Sequence, residues 1–163
     1  MKYLVTPWRE KYIKEGLDND ECFLCEASKY KNPQERYILF KGKHSFIILN
    51  LYPYNNGHLL IAPYEHLDSP LKAKRETINE MNTLMLKTLE ILEKVYHPQG
   101  FNIGMNLGRP AGAGVPDHFH LHIVPRWEGD ANFMPLFGET KIMFEGIEKT
   151  FEKLKKEFDK IEL

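Results

Sequence analysis

The 163-residue sequence predicts an α+β protein, with an antiparallel sheet of about five strands and two main helices. Several short segments alternate between apolar and polar residues, as strands with one buried face do. Two longer segments instead repeat apolar residues every three or four positions, which is typical of amphipathic helices. The strand-like segments are joined by short connections, and short connections favour antiparallel pairing.

Five segments are predicted to form the strands, because each is rich in apolar or β-branched residues and is bounded by turn residues. Gly42 suits a hairpin turn between the first two segments. Pro63 and Pro125 are expected to end the third and fifth strands. The five segments are residues 37–40, 44–50, 58–62, 101–107 and 118–124.

The apolar positions of these segments indicate which side chains form the core. Residues 72–96 carry one helical stripe, and a second stripe runs from Ile147 to Ile161 between Glu and Lys residues. The fourth strand segment alternates strictly, so we expect its apolar side chains to face the core. These are Phe101, Ile103, Met105 and Leu107.

Composition narrows the classes of function. Hydrophobic residues make up 42% of the chain, and 22 basic residues nearly balance 23 acidic ones. A net charge of −1 provides no basic surface, so neither nucleic acid nor a membrane is an expected partner. No segment resembles a signal peptide or a transmembrane span, and two cysteines are too few for a disulfide scaffold. These features favour a cytoplasmic protein.

Three histidines alternate in the fifth strand segment, where His118, His120 and His122 are expected to share one face. The residues between them are apolar, so the opposite face is expected to pack on the core. Imidazoles titrate near neutral pH, ligate metals and attack electrophiles. Three functionless surface histidines explain this alternation poorly in a chain with seven histidines. The residues alone leave metal binding, nucleophilic catalysis or both open.

A glycine-rich loop, residues 108–116, precedes these histidines. Small residues let backbone N–H groups approach an anion closely, as phosphate-binding turns do. No Gly-Lys-Ser/Thr sequence follows, which argues against a Walker loop, and a strand rather than a helix comes next, which argues against a dinucleotide fingerprint. The position of the loop suggests a phosphate held against imidazoles.

A Cys-x-x-Cys pair, Cys22 and Cys25, lies far from this region in the sequence. In a cytosolic protein such a pair forms a redox couple, supplies half of a metal site, or is incidental. No thioredoxin-like βαβ pattern surrounds the pair, which disfavours the redox interpretation.

These motifs together resemble the histidine triad (HIT) superfamily. Residues 118–124 match its signature of histidine–apolar–histidine–apolar–histidine–apolar–apolar. Asn106 and residues 112–114 resemble the asparagine and the glycine-rich phosphate loop of the family, and residues 50–66 resemble its second sequence block. The resemblance implies a HIT-like fold and a single domain over residues 1–163.

The ends of the chain resemble a narrower branch of the family, the bacterial diadenosine tetraphosphate phosphorylases and their hydrolase relatives. Residues 7–9, 55–58 and 125–133 carry this likeness. By this resemblance, residues 1–20 are an N-terminal extension, and residues 128–163 are a C-terminal extension that contains the final helix.

The resemblance implies an enzyme that acts on dinucleoside polyphosphates. His120 would attack the α-phosphorus and form a nucleotidyl-imidazole intermediate, which phosphate or water then resolves. The backbone carbonyl of His118 would orient His120 and fix its tautomer. His122 and His58 would bind the scissile phosphate and its leaving oxygen.

The same resemblance implies a set of nucleotide contacts. Asparagine side chains would bind ribose or phosphate, backbone amides of the loop would hold phosphate oxygens, and apolar side chains would flank the base. The residues in these roles are Asn50, Asn106, Gly112, Gly114, Val115, Ile48 and Leu60.

The resemblance further implies a structural zinc ion and no organic cofactor. The ligands would be Cys22, Cys25, His66 and His118, which form a Cys₂His₂ set of the kind that structural zinc uses. The alternative is an inert cysteine pair with no metal. Small HIT proteins usually pair, so we expect a homodimer.

Three interpretations of function stay open at this point, and the first of them, an enzyme that acts on dinucleoside polyphosphates, has two possible acceptors. A phosphorylase passes the nucleotidyl group to inorganic phosphate, which Arg109 is placed to help bind, whereas a hydrolase passes it to water. A purine nucleoside phosphoramidase is a second enzymatic interpretation, which the terminal segments disfavour. A nucleotide-binding module with little turnover is the third.

Overall fold

The computed structural model describes residues 22–30, 32–130 and 143–161. Within these ranges it contains three helices and five strands. Three short 3₁₀ turns connect some of them. The helices are α1 (Phe23–Lys29), α2 (Arg75–Tyr96) and α3 (Ile147–Phe158), and the strands are β1 (Ile38–Lys41), β2 (Ser45–Leu49), β3 (Leu59–Pro63), β4 (Gly100–Gly104) and β5 (Leu121–Arg126).

All five strands form one antiparallel sheet in the order β1-β2-β3-β5-β4. The predicted α+β class, the strand count and the two main helices are therefore confirmed. The short helix α1 was not predicted, because its polar sequence shows no helical stripe over the few residues that it spans. The predicted N-terminal extension, residues 1–20, lies outside the described residues.

The two faces of the sheet pack against different helices. On one face, side chains such as Ile47, Ile61 and Ile123 form the larger core with α2 and α3. On the other face, Leu24 and Ala27 of α1 cover a smaller cluster. This division follows from the strands, in which successive side chains point to opposite faces. The smaller cluster also includes Ile38, Phe46, Ile48, Leu60 and Ala62.

The histidine strand begins later than predicted, at Leu121 instead of His118. The amide of Phe119 donates to the carbonyl of Leu67 at 2.6 Å, so this part of the chain bonds to a loop before strand pairing begins. The predicted alternation is nevertheless retained, because Phe119, Leu121 and Ile123 all pack in the larger core. The histidines between them are thereby turned to the opposite face.

Pro63 is the last residue of β3, so the third strand ends there as predicted except that the proline belongs to the strand, whereas Pro125 does not end β5. β3 includes Pro63, which pairs with Ser45, and β5 continues through Pro125 to Arg126. Beyond Ile123, β5 pairs only with β4. Within the described sheet, the other edge of β5 has no partner strand at Pro125, so the absence of a backbone N–H on this proline costs no hydrogen bond along that edge. β1 and β2 differ from their predicted bounds by one residue at each end.

β4 is the one strand whose predicted burial is wrong. It ends at Gly104, and the side chains of Ile103 and Leu107 are each 42% exposed rather than in the core. Phe101 and Met105 are partly buried against the larger core. The physical reason is the position of β4, which lies at the edge of the described sheet and pairs only with β5.

The two main helices start or stop within a few residues of the predicted bounds. Residues 70–72 form a 3₁₀ turn, with Ser69 capping the amide of Leu71, so α2 starts at Arg75 rather than residue 72. His97 adopts a left-handed conformation, with φ of 47°, and ends the helix before Pro98. Among the described residues, no helix combines the length and apolar character needed to cross a bilayer.

Glu80 of α2 fastens the β1–β2 hairpin to the helix layer. Its carboxylate accepts hydrogen bonds from the backbone amides of Lys43, His44 and Ser45 and from the Ser45 hydroxyl, at 2.8 to 3.1 Å. Burial by itself would raise the pKa of Glu80, but these donors outweigh it and lower the pKa. The hairpin is therefore held by an ionised acceptor on α2.

Candidate active site

The turn before β3 places His58 against the sheet. Gly57 has a φ of 74°, and a Cβ atom there would lie 3.2 to 3.3 Å from the side chains of Leu92, Pro125 and Tyr96. Only glycine combines this conformation with so close a packing. The turn is thus pressed against both α2 and β5, and His58 is 1% exposed.

Two buried asparagines hold this turn in place. The Asn55 amide donates to the carbonyl of Pro125 at 3.1 Å and to the carboxylate of Asp130 at 2.8 Å. The Asn56 side chain donates to the carbonyl of Glu145 and accepts from the amide of Phe144, both at 2.9 Å. The turn is therefore tied to the end of β5 and to the segment before α3.

A chain of hydrogen bonds runs from this turn to His122. The amide of Tyr54 donates to Nδ1 of His58 at 3.0 Å, and the side-chain amide of Asn50 donates to the same nitrogen at 3.2 Å. Nδ1 of His58 is therefore an acceptor, and its Nε2 carries the proton. That Nε2–H lies 3.0 Å from Nδ1 of His122 and donates to it, which leaves His122 with an Nε2–H donor.

His120 has the opposite tautomer. Its Nδ1 lies 2.9 Å from the backbone carbonyl of His118, and a carbonyl only accepts, so Nδ1 carries the proton and Nε2 keeps a lone pair. The rings of His120 and His122 are 4.8 Å apart. The site therefore places an imidazole lone pair beside an imidazole N–H donor.

Burial favours the neutral form of the first two triad histidines. It lowers the pKa of His118 to about 4, and it lowers the pKa of His120 although the bond to the His118 carbonyl acts in the opposite direction. Burial disfavours a charged imidazole because the protein interior solvates charge poorly.

The glycine-rich loop forms a compact turn before the histidines. A 3₁₀ turn at 109–111 ends at Gly112, which has a φ of 83°. The Asn106 amide lies 3.5 Å from the carbonyl of Gly112, and the amide of His118 lies 3.4 Å from the carbonyl of Val115. Gly114 is exposed in the bend between these contacts.

The remaining nucleotide-contact residues of the sequence prediction lie on the histidine-bearing face. Leu60 pairs with His122, and Ile48 pairs with Leu60, so the three side chains share this face. Both apolar residues are buried in the smaller cluster with α1. The side chain of Asn50 joins the hydrogen bonds around His58.

The structure brings together all four predicted metal ligands, Cys22, Cys25, His66 and His118, with their ligand atoms within 4.8 Å of one another. Sγ of Cys22 lies 3.2 Å from Nδ1 of His118, and Sγ of Cys25 lies 3.2 Å from Nδ1 of His66. Two thiols and two imidazoles at these separations fit a tetrahedral zinc ion.

His118 has a second contact that suits it to metal binding. Its Nε2 lies 2.9 Å from the carbonyl of Pro63 and donates to it, so Nδ1 is the nitrogen with a free lone pair. Metal-ligating histidines are commonly oriented by such a bond from the other ring nitrogen.

Sequence reasoning missed the parts of the site that depend on long-range contacts. The asparagines at 55 and 56 look like ordinary turn residues, although both are buried. Tyr54 was also missed, and its ring stacks on the ring of His58 at 4.8 Å. The usable signal was the residue type, because an asparagine side chain can both donate to and accept from a backbone partner.

Comparison with known proteins shows the family. Residues 31–129 match the HIT domain family, and the chain belongs to the histidine triad family. It is 36% identical over 150 residues to a Mycobacterium tuberculosis protein named AP-4-A phosphorylase, with 88% of this chain and 77% of that protein covered. It is 29% identical over 119 residues to the Schizosaccharomyces pombe bis(5'-nucleosyl)-tetraphosphatase (asymmetrical), covering 73% and 62%.

Solved structures share the fold. A protein from Sulfolobus tokodaii described as a hypothetical histidine triad nucleotide-binding protein has a TM-score of 0.66 and 28% identity, with 84% of this chain and 89% of that chain covered. A zinc-bound histidine triad family protein from Mycobacterium smegmatis has a TM-score of 0.68 and 23% identity, with coverage of 88% and 95%.

The hydrogen-bond chain predicts the protonation of each imidazole. In ¹⁵N-labelled protein at about pH 7.5, we expect NMR to find the proton on Nδ1 of His120 and on Nε2 of His58 and His122. His44, which lies outside the site, serves as the comparison within the same spectrum. A proton on Nδ1 of His58 would contradict this arrangement, because the Tyr54 amide would then face another donor.

Proposed function

We propose that the protein cleaves dinucleoside polyphosphates through a nucleotidyl intermediate on Nε2 of His120. The observation that carries this proposal is the 2.9 Å bond between Nδ1 of His120 and the His118 carbonyl, because it leaves the Nε2 lone pair available. The names of two relatives, a phosphorylase and a tetraphosphatase of such nucleotides, support the substrate class.

The first half-reaction forms one bond and breaks another at phosphorus. The lone pair on Nε2 of His120 attacks the α-phosphorus, and the bond from that phosphorus to the bridging oxygen breaks. The leaving oxygen departs with the bond's electron pair as an anionic phosphate oxygen and accepts a hydrogen bond from the Nε2–H of His122. The Nε2–H of His58 holds His122 in that tautomer by donating to its Nδ1. For diadenosine tetraphosphate, the leaving group is ATP and the adenylyl group stays on His120.

The second half-reaction passes the adenylyl group to an acceptor. An oxygen of inorganic phosphate attacks the phosphorus and gives ADP, or water attacks and gives AMP, and His120 is released in either case. The relative named AP-4-A phosphorylase supports phosphate as the acceptor. Arg109 is exposed at the start of the glycine-rich loop and is our candidate for binding that phosphate.

We propose the remaining nucleotide contacts from the family resemblance. Asn106 and the backbone amides of Gly112, Gly114 and Val115 hold phosphate oxygens, and Asn50 binds a ribose. The base lies near Ile48 and Leu60, on the histidine-bearing face of the sheet.

Product analysis tests this function. We expect diadenosine tetraphosphate to yield ADP and ATP only when phosphate is present. His120→Asn removes the nucleophile and lowers kcat by about 10³-fold or more. His44→Asn, a histidine outside the site, is the matched control and retains activity.

Two outcomes would count against parts of the proposal. AMP and ATP formed without phosphate would exclude the phosphorylase but keep the His120 intermediate. Undiminished turnover by the His120→Asn variant would rule out the intermediate itself.

We propose that Cys22, Cys25, His66 and His118 hold a structural zinc ion. The fit of the four ligand atoms supports it. When bound, zinc supplies a cross-link, since its ligands come from the start of α1, the loop after β3 and the segment before β5. The ligands close all four positions, so the ion has no site for substrate.

Metal analysis tests the zinc site. We expect about one zinc ion per chain, and we expect His66→Ala or a strong chelator to lower Tm by roughly 10 °C, because a structural metal contributes its binding energy to folding. His44→Ala retains the metal and serves as the control. A metal-free protein whose Tm the chelator leaves unchanged would refute the site.

We propose that two copies of the chain pair through the edge of β4. Ile103 pairs with Ile123, so its side chain points to the helix-bearing face, and it is 42% exposed. Leu107 and Leu86 are also exposed apolar residues, on the chain after β4 and on α2. Large apolar side chains at an open sheet edge favour association.

Light scattering after size-exclusion chromatography tests the pairing. We expect the unmodified chain to be a dimer and Ile103→Lys to be a monomer, since the variant places a charge at the proposed interface. Leu71→Lys is the matched control, because Leu71 is 95% exposed. A dimer that survives Ile103→Lys would exclude the β4 edge as the dimer interface.

The cytoplasmic location and the single-domain organisation stay predictions.

A further inference from the structure

An exposed aromatic ring packs against the two histidines that form the hydrogen-bond chain of the site. The ring of Tyr54 stacks on the ring of His58, with centroids 4.8 Å apart and planes 29° from parallel. It is also nearly parallel to the ring of His122, at 6.1 Å and 23°. Tyr54 is nevertheless 42% exposed. Tyr54 therefore packs on imidazoles and still keeps a large part of its surface accessible.

The backbone around Tyr54 is held firmly. Its amide donates to His58 at 3.0 Å, and the next two residues are the buried asparagines that bond to Pro125, Asp130, Phe144 and Glu145. A ring on so well anchored a turn loses little further freedom when a ligand packs on it.

The position of the ring indicates which part of a substrate it meets. The Nε2–H of His122 is the donor assigned above to the leaving oxygen, and Tyr54 lies parallel to His122 and on His58 behind it. The transferred nucleoside is assigned to the sheet face near Ile48 and Leu60, on the strands that lead to His122. Tyr54 packs instead on the rings of His58 and His122 themselves, beside the donor assigned to the leaving oxygen.

We propose that Tyr54 is a stacking platform for the nucleobase of the leaving nucleotide. The inference rests on the proposed function and extends it, because it adds a subsite that distinguishes a dinucleotide from a mononucleotide of equal phosphate number. Stacking of a base on an aromatic ring needs no hydrogen-bond readout, so the subsite accepts any base and prefers purines, which have the larger π-face.

A binding comparison in the His120→Asn background tests the platform without turnover. The two ligands are diadenosine tetraphosphate and adenosine 5'-tetraphosphate, which differ by one adenosine. We expect the dinucleotide to bind about tenfold more tightly, within the range of about 5- to 150-fold for one stacked base. Isothermal titration calorimetry measures both Kd values.

Substitutions at Tyr54 then assign the difference. Added to His120→Asn, Tyr54→Phe keeps the ring and retains the tenfold preference, whereas Tyr54→Leu brings the ratio of the two Kd values close to one. Tyr30→Leu, at the end of α1, is the matched tyrosine control and leaves the ratio unchanged. Circular dichroism confirms that the variants are folded.

The other outcomes separate this inference from the function on which it rests. If Tyr54→Leu weakens both ligands equally, the ring only positions His58, and the platform is excluded. If the dinucleotide preference persists in Tyr54→Leu, the base binds elsewhere, and the platform is again excluded while the function stands. If the His120→Asn protein binds neither nucleotide, the proposed function fails, and the inference fails with it.

Discussion

The pairing of β3 with β5 is the constraint on which the site depends. Leu60 lies opposite His122, which brings His58, in the turn just before β3, to the ring of His122. The same antiparallel course brings the carbonyl of Pro63 to the ring of His118. A slip of one residue would turn every histidine to the helix-bearing face and replace them with apolar side chains. The larger core, which takes up Phe119, Leu121 and Ile123, prevents that slip.

Much of this arrangement was predictable because it depends on local periodicity. The apolar residues between the histidines are expected to pack into the one large core of the sheet. Because successive side chains of a strand point to opposite faces, the common face of the histidines follows from the sequence. The four candidate metal ligands were predicted through the family resemblance, and the structure brings their ligand atoms together. Strand ends were less predictable. Pro125 stays in β5 because that stretch has one neighbour, and the number of neighbours is a property of the whole sheet.

The unpredicted parts are contacts between residues far apart in the chain. Asn56 bonds to Phe144 and Glu145. Glu80 accepts hydrogen bonds from backbone amides of the β1–β2 hairpin, more than thirty residues earlier in the chain. Neither partner carries a local pattern that identifies the other. The exposure of Ile103 was missed for a related reason, since strict alternation shows which face a side chain takes and not whether anything covers that face.

The two roles of His118 involve different parts of the residue. The carbonyl that orients His120 belongs to the backbone and is present whichever side chain stands at this position. The imidazole of His118 instead contacts the two cysteines and the carbonyl of Pro63. The proposed metal binding and the proposed catalysis therefore depend on separable atoms of one residue. A lineage in which this side chain changed would keep the carbonyl that orients His120, so loss of the proposed metal centre during evolution need not end the proposed chemistry.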